Sequence, residues 1–212
     1  MAYKVMIVDD QSIARKLFES VIEGSESFEL VKSVESAAMV DVYLARYSVD
    51  LLILDIVMQD GPGGLAAAEY VKLRYPSVKI ILATSMPEVS FLERARAIGV
   101  ESFWYKEAGE SLLDVMERTM AGENVFPMHT PPQKLGQTLS TELSAAELAV
   151  LRELTTGAGN QEIGERLNIS VNTVKSHIQH MLDKTGYANR TELAIQARVL
   201  GVVIADQFHS FG

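Results

Sequence analysis

Short apolar runs alternate with amphipathic stretches along the first 122 residues. The strand-like runs are Tyr3–Val8, Phe28–Val34, Leu51–Asp55, Val78–Ala83 and Glu101–Tyr105. Between and after them, residues Gln11–Glu23, Ala37–Tyr47, Leu65–Arg74, Glu88–Ile98 and Ser111–Ala121 have helical spacing. Ile13, Leu17, Val21 and Ile22 are expected on the inner face of the first helix, and Val40, Tyr43 and Leu44 on that of the second. Gly24 and Gly99 sit where helices should stop, and Pro76 bars the third from continuing. Leu51-Leu52-Ile53-Leu54 is apolar at every position, which fits a strand buried on both faces. Strands alternating with helices of this length predict βαβ units, hence a parallel sheet with helices on both sides.

Asn124–Thr138 breaks the alternation. Pro127, Pro131, Pro132 and Gly136 among polar residues predict a linker, semi-rigid where the prolines cluster. From Thr141 onward only helical spacing recurs. Ser144–Thr155 opens with Ser144 and Glu147 at capping-box spacing. Gln161–Leu167 follows, then the tight turn Asn168-Ile169-Ser170, then Val171–Lys184 and Thr191–Leu200. Val174, Ile178, Met181 and Leu182 mark the inner face of the longer helix. Two helices joined by a three-residue turn and packed on a third form a helix-turn-helix. The apolar tail Val199–Ala205 is expected to extend the last helix and to cover core or a dimer surface, joined by Phe208 and Phe211. The predicted architecture is therefore an α/β doubly wound five-stranded parallel sheet (1–123), a linker (124–139), and a small all-α helix-turn-helix domain (140–212).

Composition narrows the classes. The chain has 212 residues and a net charge of −9, against a broadly basic nucleic-acid binder. The acidity is uneven: residues 1–134 hold 13 Lys and Arg against 20 Asp and Glu, and residues 135–212 hold 6 against 8. With no cysteine, disulfides and thiolate metal sites are excluded. No apolar run is long enough to span a membrane, and the N-terminus turns acidic too soon for a signal peptide. The expectation is a cytoplasmic protein without membrane attachment.

In a parallel sheet the ends of strands 1, 3, 4 and 5 share one edge, which here would hold Asp9, Asp10, Asp55, Thr84 and Lys106. Taken alone, Asp55 could simply be a solvated residue closing a strand. Three neighbouring carboxylates repel unless a cation sits among them, and an oxygen-only open site suits Mg²⁺. A hydroxyl and an ammonium facing it would suit a phosphoryl group, and a carboxylate can itself be the nucleophile.

With these residues in this order, residues 3–121 resemble the receiver domain of two-component response regulators, which has a flavodoxin-like fold. The resemblance implies that Asp55 is the phosphoacceptor, Thr84 the switch hydroxyl, Lys106 the invariant lysine and Phe103 the switch aromatic. It also implies Mg²⁺ held by Asp10, Asp55 and the backbone carbonyl of Val57, with Asp9 acting largely through water. A sensor histidine kinase would be the phosphoryl donor, and phosphorylation would draw Thr84 and Phe103 inward. Gln59 and Glu107 stand where receivers usually have proline, which bears on how long the phosphoryl group survives.

The longer helix of the second half presents Asn172, Thr173, Lys175, Ser176, Gln179, His180 and Lys184 on its polar side, as groove readout requires. Leu143–Ala197 resembles the DNA-binding domain of the LuxR/NarL/FixJ class, through Asn160-Gln161-Glu162-Ile163, Leu167-Asn168-Ile169-Ser170 and Thr173-Val174-Lys175-Ser176-His177. The resemblance implies that Lys175, Ser176 and Gln179 read bases in promoter DNA, that Thr173, Lys184 and Arg190 contact phosphates, and that the last helix pairs two subunits. The expected function is a transcription regulator, not an enzyme, whose phosphorylation controls dimerisation and promoter binding. Two alternatives stand beside it. A regulator with a relic pocket would ignore phosphorylation. A phosphatase using Asp55 would want an acid/base carboxylate two residues on, where Val57 stands.

Overall fold

The computed structural model of the chain describes residues 2–58, 63–88, 90–106 and 109–204. They divide into two compact units: one runs up to Ser85 and resumes at Phe91–Met128, the other comprises Met86–Ser90 and the chain from His129 on.

The first unit is a five-stranded sheet, β1 (Tyr3–Val8), β2 (Phe28–Val34), β3 (Leu51–Asp55), β4 (Lys79–Thr84) and β5 (Ser102–Tyr105). The order is β2-β1-β3-β4-β5 and every pair is parallel. The doubly wound fold expected from the alternation is the one observed. Leu51, Leu52, Ile53 and Leu54 are fully buried, so the unbroken apolar run is indeed covered on both faces. Each such side chain contributes about 1.5–3 kcal/mol by leaving water. The helices are α1 (Ser12–Glu23), α2 (Val40–Leu44), α3 (Gly64–Arg74), α4 (Phe91–Ile98) and α5 (Leu112–Met120). The second helix is shorter than predicted because Ala37–Met39 is a turn of 3-10 helix, capped by Ser36.

The predicted inner face of α1 needs correction. Phe18 and Ile22 are its buried residues, whereas Ile13 is 83% and Leu17 57% exposed. Periodicity found a stripe at helical spacing, but two stripes fit the sequence. The larger Phe18 ring wins the sheet face, where it meets Trp104 edge-on at 5.9 Å. Trp104 is itself buried.

In the second unit α6 (Ala145–Thr155), α7 (Asn160–Leu167), α8 (Val171–Thr185) and α9 (Arg190–Val199) surround one core that includes Val150, Leu151, Ile163, Val174, Met181 and Leu193. Ser144 caps α6 by accepting from the Glu147 N–H at 3.2 Å, and Glu147 reaches back to the Ser144 N–H at 2.7 Å. The stretch expected as a linker is folded at both ends. Val125 bridges to Ser102, and Lys134–Leu135 pairs with Thr138–Leu139 as a small hairpin, β6 and β7, that buries Leu135. The last helix ends at Val199 rather than continuing, because Gly201 turns the chain with φ 63° and folds Val202 and Val203 into the core. Ala205, Phe208 and Phe211 lie outside the described residues.

Candidate functional site

The sheet register brings the strand ends together. Val8 pairs with Leu54, Asp55 with Ala83, and Thr84 with Tyr105. Asp9 and Lys106 follow directly on β1 and β5, and the Lys106 N–H donates to the Thr84 carbonyl at 2.9 Å. Lys106 Nζ lies 2.6 Å from Asp9 Oδ2 and 2.8 Å from Asp55 Oδ1. Asp9, Asp10 and Asp55 each offer a carboxylate oxygen, and these lie within 4.8 Å of one another.

The two innermost carboxylates differ in how they are satisfied. Asp9 is fully buried and both its oxygens are engaged, Oδ1 by the Gln11 N–H at 2.8 Å and Oδ2 by Lys106. Asp55 is 2% exposed, and among the described residues its Oδ2 has no hydrogen-bond donor. A buried, unsatisfied carboxylate oxygen is costly unless something positive meets it. Burial pushes the Asp55 carboxyl up to about 7, against the pull of Lys106, with the charges of Asp9 and then Asp10 adding to the rise. Burial would lower Lys106, but the negative charge of Asp55 and hydrogen bonds to Asp55 and Asp9 raise it instead. The donor set is all oxygen and partly open, since Asp10 is only half-buried. It therefore fits a hard cation such as Mg²⁺.

Phe103 is fully buried, edge-on to Tyr105 at 5.0 Å. Thr84 is also buried. Val57 follows β3 in the loop beside the cluster. Gln59 and Glu107, the two departures at proline positions, lie outside the described residues.

Two contributors escaped the sequence reading. Arg15 donates from Nη1 to the Asp9 carbonyl at 2.6 Å and so braces the loop that carries the acidic pair. Gly64 opens α3 against the end of β3: a Cβ there would lie 1.9 Å from the Asp55 carbonyl oxygen, so only glycine permits the approach. The chain has glycine at 61, 63 and 64, and which of them touches the site depends on the long-range packing of α3.

In the second unit α7 and α8 are joined by the predicted turn, with Asn168 left-handed at φ 53° and the Ile169 N–H donating to the Gly164 carbonyl at 2.9 Å. Ser170 caps α8, and its hydroxyl lies 2.8 Å from that of Thr173. Lys175, Ser176 and Gln179 share the exposed side of α8 with Asn172 and His180. Gln179 Nε2 donates to Asp183 Oδ1 at 2.8 Å, one turn on in the same helix, whereas Lys184 and Arg190 are engaged with other segments of the unit. Lys184 Nζ donates to Glu147 Oε2 at 2.8 Å and to the Glu142 carbonyl at 3.2 Å. Arg190 donates to Asn160 Oδ1 at 2.6 Å and to the Ala158 carbonyl at 2.7 Å. The structure thus brings Lys175, Ser176 and Gln179 together on one open face and uses Lys184 and Arg190 to tie helices to one another.

Comparison with known proteins agrees with both units. Residues 5–117 match the model of the response regulator receiver domain, and residues 141–197 that of bacterial regulatory proteins of the luxR family. The response regulator protein VraR of Staphylococcus epidermidis is 30% identical, over 93% of this chain and 97% of its own length. The oxygen regulatory protein NreC of Staphylococcus aureus is 26% identical, over 90% and 94%. Among solved structures, one of two RcsB dimers bound to two parallel DNAs is 25% identical with a TM-score of 0.63, covering 93% of this chain and 98% of that one.

Proposed function

Because the chain belongs to the response regulators, with a receiver domain and a LuxR-type DNA-binding domain, we propose that Asp55 accepts a phosphoryl group from a sensor histidine kinase and thereby controls promoter binding. The observation that carries this reading is Asp55 itself: a buried carboxylate at a strand end, one oxygen held by Lys106 and the other without a partner among the described residues.

The chemistry follows from those groups. A carboxylate oxygen of Asp55 attacks the phosphorus of a phosphohistidine, the P–N bond breaks, and the imidazole leaves with the electron pair. Lys106 supplies a fixed positive charge for the phosphoryl oxygens, and the Thr84 hydroxyl can donate to one of them. Mg²⁺ held by Asp10, Asp55 and the Val57 carbonyl would neutralise charge that otherwise repels the incoming phosphoryl group. The hydrogen bonds already filling both oxygens of Asp9 support its acting through water.

Residues 140–212 are the proposed DNA-reading part. Lys175, Ser176 and Gln179 face base edges in the major groove, and Thr173 stands at the N-terminal end of α8, where phosphates are met. Lys184 and Arg190 act mainly as braces, given their internal partners. Residues 135–212 hold 6 Lys and Arg against 8 Asp and Glu, so a single DNA-reading unit has little electrostatic affinity, which favours a homodimer on DNA; phosphorylation would promote that dimer. Among the described residues no helix is long and apolar enough to cross a membrane, and a partner of promoter DNA works in the cytoplasm. The test is incorporation of phosphate from acetyl phosphate with Mg²⁺. Asp55→Ala should abolish it, and unchanged labelling would refute the assignment.

A further inference from the structure

The chain after α5 does not leave the first unit at once. Gly122 turns it with φ 96°, Arg118 Nε pins Glu123 at 2.9 Å, and Val125 then lies parallel to β5 at Ser102. The Phe103 N–H donates to the Val125 carbonyl at 2.9 Å, and the Val125 N–H to Ser102 Oγ at 3.2 Å. This closes the open edge of the sheet with a single extra residue. The next side chain, Phe126, packs against Phe103 with ring centroids 6.4 Å apart. Arg96 of α4 sits over the Phe126 ring at 5.0 Å and donates to the Pro127 carbonyl at 3.4 Å. One residue later the contact is over: Met128 is 86% exposed.

We propose that Val125–Pro127 is a latch that carries the state of the phosphoacceptor pocket into the chain leading to the helix-turn-helix unit. It rests on the assignment of Asp55 as the phosphoacceptor. The argument is steric. Phe103 is flanked by β4 on one side, so the room for its ring to turn outward lies toward the edge that Phe126 and Val125 cover. An outward Phe103 must displace Phe126 from its place under Arg96, which loosens the adjoining backbone bonds of Val125. A phosphoryl group on Asp55 draws Thr84 toward it and leaves the interior to Phe103. Phosphorylation therefore shifts the population toward the closed latch and fixes the point at which the chain departs.

The experiment is amide-resolved hydrogen exchange on the full chain, with and without Mg²⁺ and beryllofluoride, and with fluorine NMR reporting whether beryllofluoride is bound. The wild type should show exchange at Phe103 and Val125 slowed about tenfold or more on loading. Phe126→Ala should still bind beryllofluoride but lose the slowing at Val125, and Arg96→Ala should weaken it. Bound beryllofluoride with unchanged exchange at Val125, or a Phe126→Ala response equal to wild type, overturns the latch alone. No bound beryllofluoride in the wild type overturns the phosphoacceptor assignment, and the latch with it.

Discussion

Replacing Asp55 by Asn should stabilise the metal-free protein, and the gain should grow with pH. Asp55 titrates at about 7 in the fold against 3.8 for an ordinary aspartate carboxyl, because burial disfavours its charge more than Lys106 favours it. The native state therefore holds a proton that the unfolded chain has lost between roughly pH 4 and 7. The stability tied to this group is complete below pH 4 and is lost as the pH rises through 7. The gap of roughly 3 pH units, at about 1.4 kcal/mol each, amounts to about 4 kcal/mol at pH 8. Asn keeps the shape and an acceptor for Lys106 but has no charge to bury. Urea unfolding in EDTA, followed by the sole tryptophan, Trp104 of β5, reports this domain. With a slope of about 2 kcal/mol per molar urea, the full effect would move the midpoint by about 2 M at pH 8 and by little near pH 4. Parallel pH profiles for the two proteins, or an Asn variant less stable at pH 8, would refute the claim that Asp55 is held in an unfavourable charged state.

The same proton competes with a cation. Mg²⁺ affinity, measured by Trp104 fluorescence titration, should drop about tenfold from pH 8 to pH 6, and a flat profile would separate Asp55 from the metal. Gly64→Ala should cost about 3 kcal/mol or displace α3 from Asp55, read as a lower melting temperature with slower phosphorylation. Lys184→Met should lower the stability of the helix-turn-helix unit by about 1–3 kcal/mol, since it strands the buried Glu147; loss of DNA affinity at unchanged melting temperature would restore Lys184 as a phosphate contact. Gln179→Ala and Lys175→Ala should weaken promoter binding about tenfold without moving the melting temperature, and wild-type affinity in a gel-shift titration would take the exposed face of α8 out of the interface.

Much of this molecule was legible along the chain, because its signals are local. Alternating apolar runs set a parallel sheet, and a parallel sheet with its crossovers puts Asp9, Asp55, Thr84 and Lys106 at one edge whatever the details of packing. The helix-turn-helix was equally plain from the Ser144–Glu147 capping box and the three-residue turn. What the tertiary structure decided is which of several locally equivalent choices is used. Phe18 rather than Leu17 faces the sheet, because ring volume is weighed against a cavity that only the assembled sheet defines. Gly64 matters through the approach of a helix to the backbone of Asp55, a contact nine residues away that no spacing rule encodes. Lys184 and Arg190 have the charge of DNA contacts, and only the assembled unit reveals Glu147 and Asn160 as their internal partners. A polar side chain's role depends on the nearest partner in space, and sequence records only the nearest partner along the chain.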